Sequence, residues 1–217
     1  MQRILAVVLA AALFLAVPVV GKTVDPVILK SIRPLQWISI DFSTNNVRLG
    51  THCTTAYINP RAHYWLTAAH CVADETGTAV NPIQFYVDGH EATVVFADFV
   101  ADIAIMQTQS SYAAKALKLS KTAPAYQDLV MMAGYPYGLG HMVTAGQVAQ
   151  PVFAVGQATY LLLDIRGCPG NSGSPIVNAL GQIVSVLQVG FGSGCQALMG
   201  GAPFTSLVSV AAPWFGK

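Results

Sequence analysis

From Trp37 onward the chain is made of short apolar runs separated by turn residues, and long stretches with the 3.6-residue spacing of a helix are scarce. Trp37-Ile38-Ser39-Ile40-Asp41-Phe42 alternates apolar and polar positions, as a half-buried strand does. Ile83 to Val87 and Ala92 to Phe96 flank Asp88-Gly89-His90, and Asp-Gly between two such runs is a strong hairpin signal. Further runs occupy Ile103 to Met106, Leu129 to Met132, Thr159 to Ile165 and Ile183 to Val189. Many short strands joined by Gly, Pro and Asn turns predict an all-β chain of the sandwich or barrel class. The stretch Gln109 to Gln127 is rich in Ala, Ser, Lys and Thr and carries Pro124, so it reads as a connector between two β units of similar size. No internal repeat or low-complexity tract interrupts this pattern.

The amino terminus has a different character. Arg3 precedes an apolar run from Ile4 to Val17, followed by Pro18-Val19-Val20-Gly21-Lys22. A basic start, an apolar segment and a small residue after it predict a secretory signal peptide over residues 1–21. An uncleaved anchor is the competing reading, but the run is short for a span of about 20 residues. The expected organisation is therefore a signal over 1–21, β units over 22–108 and 128–217, and a connector over 109–127. Once the signal is removed, no stable membrane association is expected. The net charge of +1 and a charged fraction of only 10% give no basic stripe, so nucleic acid is not an expected partner.

Behind a signal peptide, the four cysteines Cys53, Cys71, Cys168 and Cys195 predict two disulfides in an oxidising compartment. Three pairings are possible, of which the local one is the simplest. A zinc site built on His52-Cys53 and His70-Cys71 is disfavoured, because the spacing matches no finger pattern. His63, His90 and His141 have no evident partner in the sequence and read as turn or surface histidines.

Three separated stretches carry chemistry. Thr67-Ala68-Ala69-His70-Cys71 sets a histidine between small residues and a cysteine that would fix its backbone. Ala101-Asp102-Ile103-Ala104-Ile105 opens an apolar strand with a carboxylate, which needs hydrogen-bond partners at the edge of a core. Cys168-Pro169-Gly170-Asn171-Ser172-Gly173-Ser174-Pro175 holds a serine between two glycines, where the backbone must turn sharply or pass close to a neighbour. Taken singly, each has a bland reading as turn or core chemistry. Together they supply a nucleophile (Ser172), a base (His70), an orienting carboxylate (Asp102) and N–H donors at Gly170 and Ser172 for a developing oxyanion.

This combination resembles the chymotrypsin-like (trypsin-like) serine peptidases, whose motifs follow in the order His, Asp, Ser. The resemblance runs from about Gly50 to Trp214-Phe215. It implies two six-stranded antiparallel β-barrels with the active site in the cleft between them. His70 and Asp102 would come from the first barrel and Ser172 from the second. It also implies the pairs Cys53–Cys71 and Cys168–Cys195, a supporting role for Ser185 beside the aspartate, and a primary pocket shaped by Arg166, Leu187 and Gly201. The implied function is a secreted serine endopeptidase acting on peptide or protein substrates without a cofactor. A non-catalytic binding protein on the same fold is the principal alternative, and a secreted esterase is a second one.

Two departures refine the resemblance. Asn171 replaces the Asp that pairs with a new amino terminus in zymogen-type members, and no Ile-Val-Gly-Gly start follows the signal, so no such activation is expected. Asn171 with Ser172-Gly173-Ser174-Pro175 is more like bacterial glutamyl endopeptidases and viral single-domain enzymes. Arg166, six residues before Ser172, would then favour an acidic residue before the cut unless Asp164 neutralises it or it points away; Leu187 would narrow the entrance.

Overall fold

The computed structural model describes residues 26–41, 46–73 and 84–216. The predicted signal peptide, Phe42 and Ile83 lie outside the described residues.

Among the described residues, twelve strands form two closed antiparallel barrels. The first comprises β1 (Ile32–Asp41), β2 (Asn46–Asn59), β3 (Tyr64–Thr67), β4 (Gln84–Val87), β5 (His90–Asp98) and β6 (Ile103–Thr108). The second comprises β7 (Leu129–Gly134), β8 (Met142–Val155), β9 (Ala158–Gly167), β10 (Pro175–Val177), β11 (Ile183–Gly190) and β12 (Gln196–Gly201). Going round each barrel, the strands follow the same order: β1-β2-β3-β6-β5-β4 in the first and β7-β8-β9-β12-β11-β10 in the second. The topology is thus duplicated although the sequence shows no repeat. Closure removes the exposed edges that a short-stranded sheet would otherwise present.

The Asp88-Gly89 hairpin forms as the sequence predicts. Val87 pairs with His90, and Asp88 and Gly89 have φ of 51° and 78°, as a two-residue turn with two left-handed positions requires. The connector contains no strand, but it is docked rather than loose. Leu117 is buried and donates its N–H to Tyr57 O, while Lys118 and Ser120 exchange backbone bonds with Ile183 of the second barrel.

Each barrel has its own apolar filling. Leu35, Tyr57, Trp65 and Met106 fill the first; Met132, Leu161, Leu163 and Ile176 fill the second. A third cluster lies across the seam and joins Ile32, Ile58 and Ile105 to Val177, Ile183 and Leu207. Two terminal segments brace this seam. The short helix α1 (Pro26–Lys30) carries Ile28 into the shared cluster. At the other end, α2 (Phe204–Ala211) leads the chain back from the second barrel onto the first. There Trp214 packs edge-on to Tyr64 at 5.3 Å and tilted against Phe96 at 5.5 Å. Its carbonyl accepts from Asn59 Nδ2 at 3.0 Å. Among the described residues no helix is long and apolar enough to cross a membrane.

Truncating the Trp214 ring removes both aromatic contacts but leaves the barrels intact. Trp214→Ala is expected to lower the unfolding free energy by about 2 kcal/mol, less than the ~3–5 of a fully buried ring. A shifted urea midpoint at unchanged slope would show it.

Candidate active site

His70 sits in a single 3-10 turn, Ala69–Val72, directly after β3. The neighbours Ala68 and Ala69 are fully buried, which seats this turn on the first barrel's core. Cys71 is joined to Cys53 of β2, so the backbone beside the imidazole is covalently tied to the neighbouring strand. The Cys53 and Cys71 sulfurs lie within 4.8 Å of a His70 ring nitrogen but are bonded to each other, so they are not metal ligands.

Asp102 immediately precedes β6 and has φ of 49°, a left-handed conformation that Asp tolerates better than most residues. Its side chain makes two bonds to the same residue. Oδ1 accepts the His70 backbone N–H at 2.8 Å, and Oδ2 lies 2.8 Å from His70 Nδ1. The backbone bond fixes where the carboxylate stands; the ring bond fixes which way the imidazole faces. With Nδ1–H donated to Asp102, Nε2 is left as the basic nitrogen.

The support for Asp102 comes from Gln188, which the sequence reading missed. Gln188 Nε2 donates to the carbonyls of Ala101 at 2.5 Å and Asp102 at 3.2 Å, bracing the strained turn from the second barrel. Ser185, expected in a supporting role, is not there. It is fully buried and its hydroxyl donates to Ala202 O at 2.7 Å. The displacement has a register cause. Leu187, not Ser185, pairs with the serine turn, accepting from Gly173 N–H at 2.8 Å and donating to Ser174 O at 2.9 Å. The next residue toward Asp102 is therefore Gln188.

Ser172 follows a tight turn on the second barrel. Gly170 has φ of 96°, and a Cβ there would meet Tyr135 O at 2.5 Å and Tyr137 N at 2.6 Å, so only glycine fits. Gly173 has φ of 80°, and a Cβ there would collide with Thr54 O and Thr67 Oγ1 of the first barrel. Between them, Ser172 O accepts the Thr54 N–H at 2.8 Å. The serine is thus linked to the histidine by a short path: one hydrogen bond to Thr54, the adjacent Cys53, the disulfide, and Cys71 beside His70. Among the described residues, neither Gly170 N–H nor Ser172 N–H is donated to a backbone carbonyl.

Two cavities flank these groups. One of about 770 Å³ is bordered by His70, Asp102, Phe99, Tyr160, Gln188 and Val189. A smaller one of about 170 Å³ is bordered by Ser172, Leu187, Val189, Gly190 and Met199. Val189 borders both, so they meet along β11. The second disulfide, Cys168–Cys195, closes the wall of the smaller cavity.

The expected pocket residues divide. Leu187 borders the smaller cavity, whereas Arg166 and Gly201 border neither. On β9 the side chains alternate: Leu163 and Ile165 are buried while Asp164 and Arg166 are exposed. Arg166 therefore points out of the barrel and contributes only its carbonyl, which accepts from Thr144 Oγ1 at 2.9 Å. Gly201 pairs with Leu187 and sits against the Ser185 hydroxyl, inside the sheet. The groups that shape the pocket instead are Gly190 and Met199, paired across β11 and β12. Met199 is buried; a Cβ on Gly167 would collide with its side chain at 2.6 Å, and one on Gly190 would touch it at 3.3 Å.

Two of the unassigned histidines have partners. His141 Nε2 lies 2.6 Å from the Tyr135 hydroxyl, whose pKa burial pushes above the ordinary tyrosine value. His90 packs edge-on to Tyr112 at 5.7 Å.

The closeness of Gly173 to the first barrel gives a structural prediction. Gly173→Ala places a methyl group against backbone atoms at a left-handed φ, and is expected to destabilise the fold by about 3 kcal/mol or more. Urea unfolding would measure it.

Comparison with known proteins agrees with this architecture. The sequence model of the trypsin-like peptidase domain matches residues 53–186. The chain is 33% identical over 129 residues to the bovine mitochondrial serine protease HTRA2, covering 56% of this chain and 28% of that protein. It is 27% identical over 135 residues to the Escherichia coli serine endoprotease DegS, covering 59% of this chain and 37% of that protein. The chain therefore spans well under half the length of these relatives. Among solved structures it is similar to the HtrA-type protease AlgW with decapeptide, at a TM-score of 0.67 and 17% identity over 85% of this chain and 66% of that one. It is also similar to the Rv3671c protease from M. tuberculosis, at 0.65 and 21% over 86% and 82%. With a family match over most of its barrels and relatives named as serine proteases, the chain belongs to the trypsin-like peptidase domain family.

Proposed function

We propose that the chain is a serine endopeptidase working through Ser172, His70 and Asp102. The observation that carries the reading is the double bond set between Asp102 and His70, backbone and ring, on the barrel that also holds the Ser172 carbonyl. In the proposed reaction Ser172 Oγ attacks the peptide carbonyl and His70 Nε2 takes its proton. The carbonyl oxygen becomes an oxyanion held by the N–H groups of Gly170 and Ser172. The C–N bond then breaks as His70 returns the proton to the leaving amine. Water, deprotonated by His70, attacks the acyl-enzyme and restores Ser172. Asp102 keeps the tautomer and stabilises the imidazolium.

The pocket supports a substrate preference. The cavity beside Ser172 is small, lined by Leu187, Val189, Gly190 and Met199, and carries no charged side chain. It fits a small aliphatic residue before the cut. The expected acidic preference rested on Arg166, which faces away from this cavity, and it is not favoured. Two disulfides and the signal-like start of the sequence support work in an oxidising compartment outside the cytoplasm.

Digestion of a diverse peptide library by the purified chain tests the reading, with Ser172→Ala as control. Cleavage after Ala, Val or similar residues is expected, and none from Ser172→Ala; full activity in the variant would overturn the mechanism. Asp102→Asn is expected to lower kcat by about 10⁴-fold while substrate binding persists. Met199→Ala should extend cleavage to larger apolar residues, whereas Arg166→Ala should leave the profile unchanged. An altered profile in Arg166→Ala would return that residue to the pocket.

A further inference from the structure

We infer that the Thr54 side chain is a positioning residue for the oxyanion turn, acting on it from the opposite barrel. The inference deepens the serine-peptidase reading and rests on it for its kinetic consequence.

Thr54 follows Cys53 on β2 and is fully buried. Its backbone bonds in both directions: N–H donates to Ser172 O at 2.8 Å, and O accepts from Thr67 Oγ1 at 2.9 Å. Its hydroxyl also does two things. Oγ1 donates to Gly170 O at 3.0 Å and accepts from Tyr135 N–H at 3.0 Å. One residue of the first barrel thus holds the carbonyls on both sides of Asn171-Ser172.

Peptide planarity turns these bonds into control of the donors. A planar trans peptide has its C=O and N–H pointing in opposite directions. Holding Gly170 O fixes the plane between Gly170 and Asn171; holding Ser172 O fixes the plane between Ser172 and Gly173. The intervening plane, which carries Ser172 N–H, is pinned at both ends. The other donor is reached through the second bond of the hydroxyl. Tyr135 opens the turn that contains Tyr137, and Tyr137 N–H donates to Pro169 O at 2.8 Å. That bond fixes the plane between Pro169 and Gly170, which carries Gly170 N–H. The Thr54 hydroxyl therefore connects both proposed oxyanion donors. Gly134 leaves room for this convergence, since a Cβ there would stand 3.0 Å from Thr54 Oγ1 and 2.8 Å from Asn171 Oδ1.

A hydroxyl that only filled space could be replaced by a methyl of equal size. Thr54→Val makes that replacement and Thr54→Ser restores the hydroxyl without the methyl. Two readouts separate the roles: amide hydrogen exchange at Tyr135 and across 168–174, and kcat against KM on a peptide that the wild type cleaves. Thr54→Val is expected to exchange the Tyr135 amide at least tenfold faster and to lower kcat about tenfold or more, with KM within about twofold. Thr54→Ser is expected to stay within about threefold of wild type in both. Wild-type exchange and kcat in Thr54→Val would overturn the inference, as would Thr54→Ser being impaired as much as Thr54→Val. Should Thr54→Val fail to fold, Thr54→Ala takes its place in the same comparison. A wild type without peptidase activity would remove the proposed function, and the exchange comparison would still decide whether the hydroxyl holds the turn.

Discussion

His70 and Asp102 stand on one closed barrel and Ser172 on another, so the site exists only as well as the seam between the barrels is fixed. Closed barrels are stiff within themselves, because every strand has two hydrogen-bonded neighbours. Two stiff bodies can still slide on each other, and a displacement of about 1 Å would separate a nucleophile from its base. The structure opposes sliding in several ways. An apolar cluster spans both bodies, and α1 and the Trp214 segment brace it from the two ends of the described chain. At the site itself the contacts become directional. Ser172 O is bonded to Thr54, the Gly173 turn presses on Thr54 and Thr67, and Gln188 reaches across to the backbone of Asp102.

Left-handed backbone occurs at these points as well. Asp102, Gly170 and Gly173 all have positive φ, and each lies beside a group of the proposed chemistry. Such conformations persist where surrounding bonds over-determine them. Around Asp102 those bonds are the two to His70 and the pair from Gln188. The disulfides serve the same rigidity. Cys53–Cys71 closes a separation of 18 residues and Cys168–Cys195 one of 27; each is worth about 3 kcal/mol in the chain-entropy model. Both are attached beside the functional turns rather than at distant loops.

The fold class and the candidate reacting groups were legible because their signals are local. Short β-branched runs and Asp88-Gly89 declare strands and a hairpin, and the flanks of His70, Asp102 and Ser172 are contiguous in sequence. The pocket was not legible because it depends on register between strands. Ser185 and Gln188 differ by three places, and only the pairing of Leu187 with Gly173 and Ser174 shows which of them reaches Asp102. A register shift between Leu187 and Val189 further displaces what faces β12, so Met199 and not Gly201 reaches the cavity. Arg166 misled for a related reason: its distance from Ser172 along the chain says nothing about which side of β9 it occupies, and that strand buries Ile165 instead. The Thr54 hydroxyl carried no sequence signal, since its partners are over 80 residues away.

The central claim is that Ser172 is a nucleophile activated by His70. The most direct measurement is the mass of the purified chain after treatment with a fluorophosphonate, followed by mapping of the modified peptide. A single adduct on Ser172, lost in His70→Ala while that variant remains folded, is the expected result. No adduct on the folded wild-type chain, or an adduct on another residue, would contradict it.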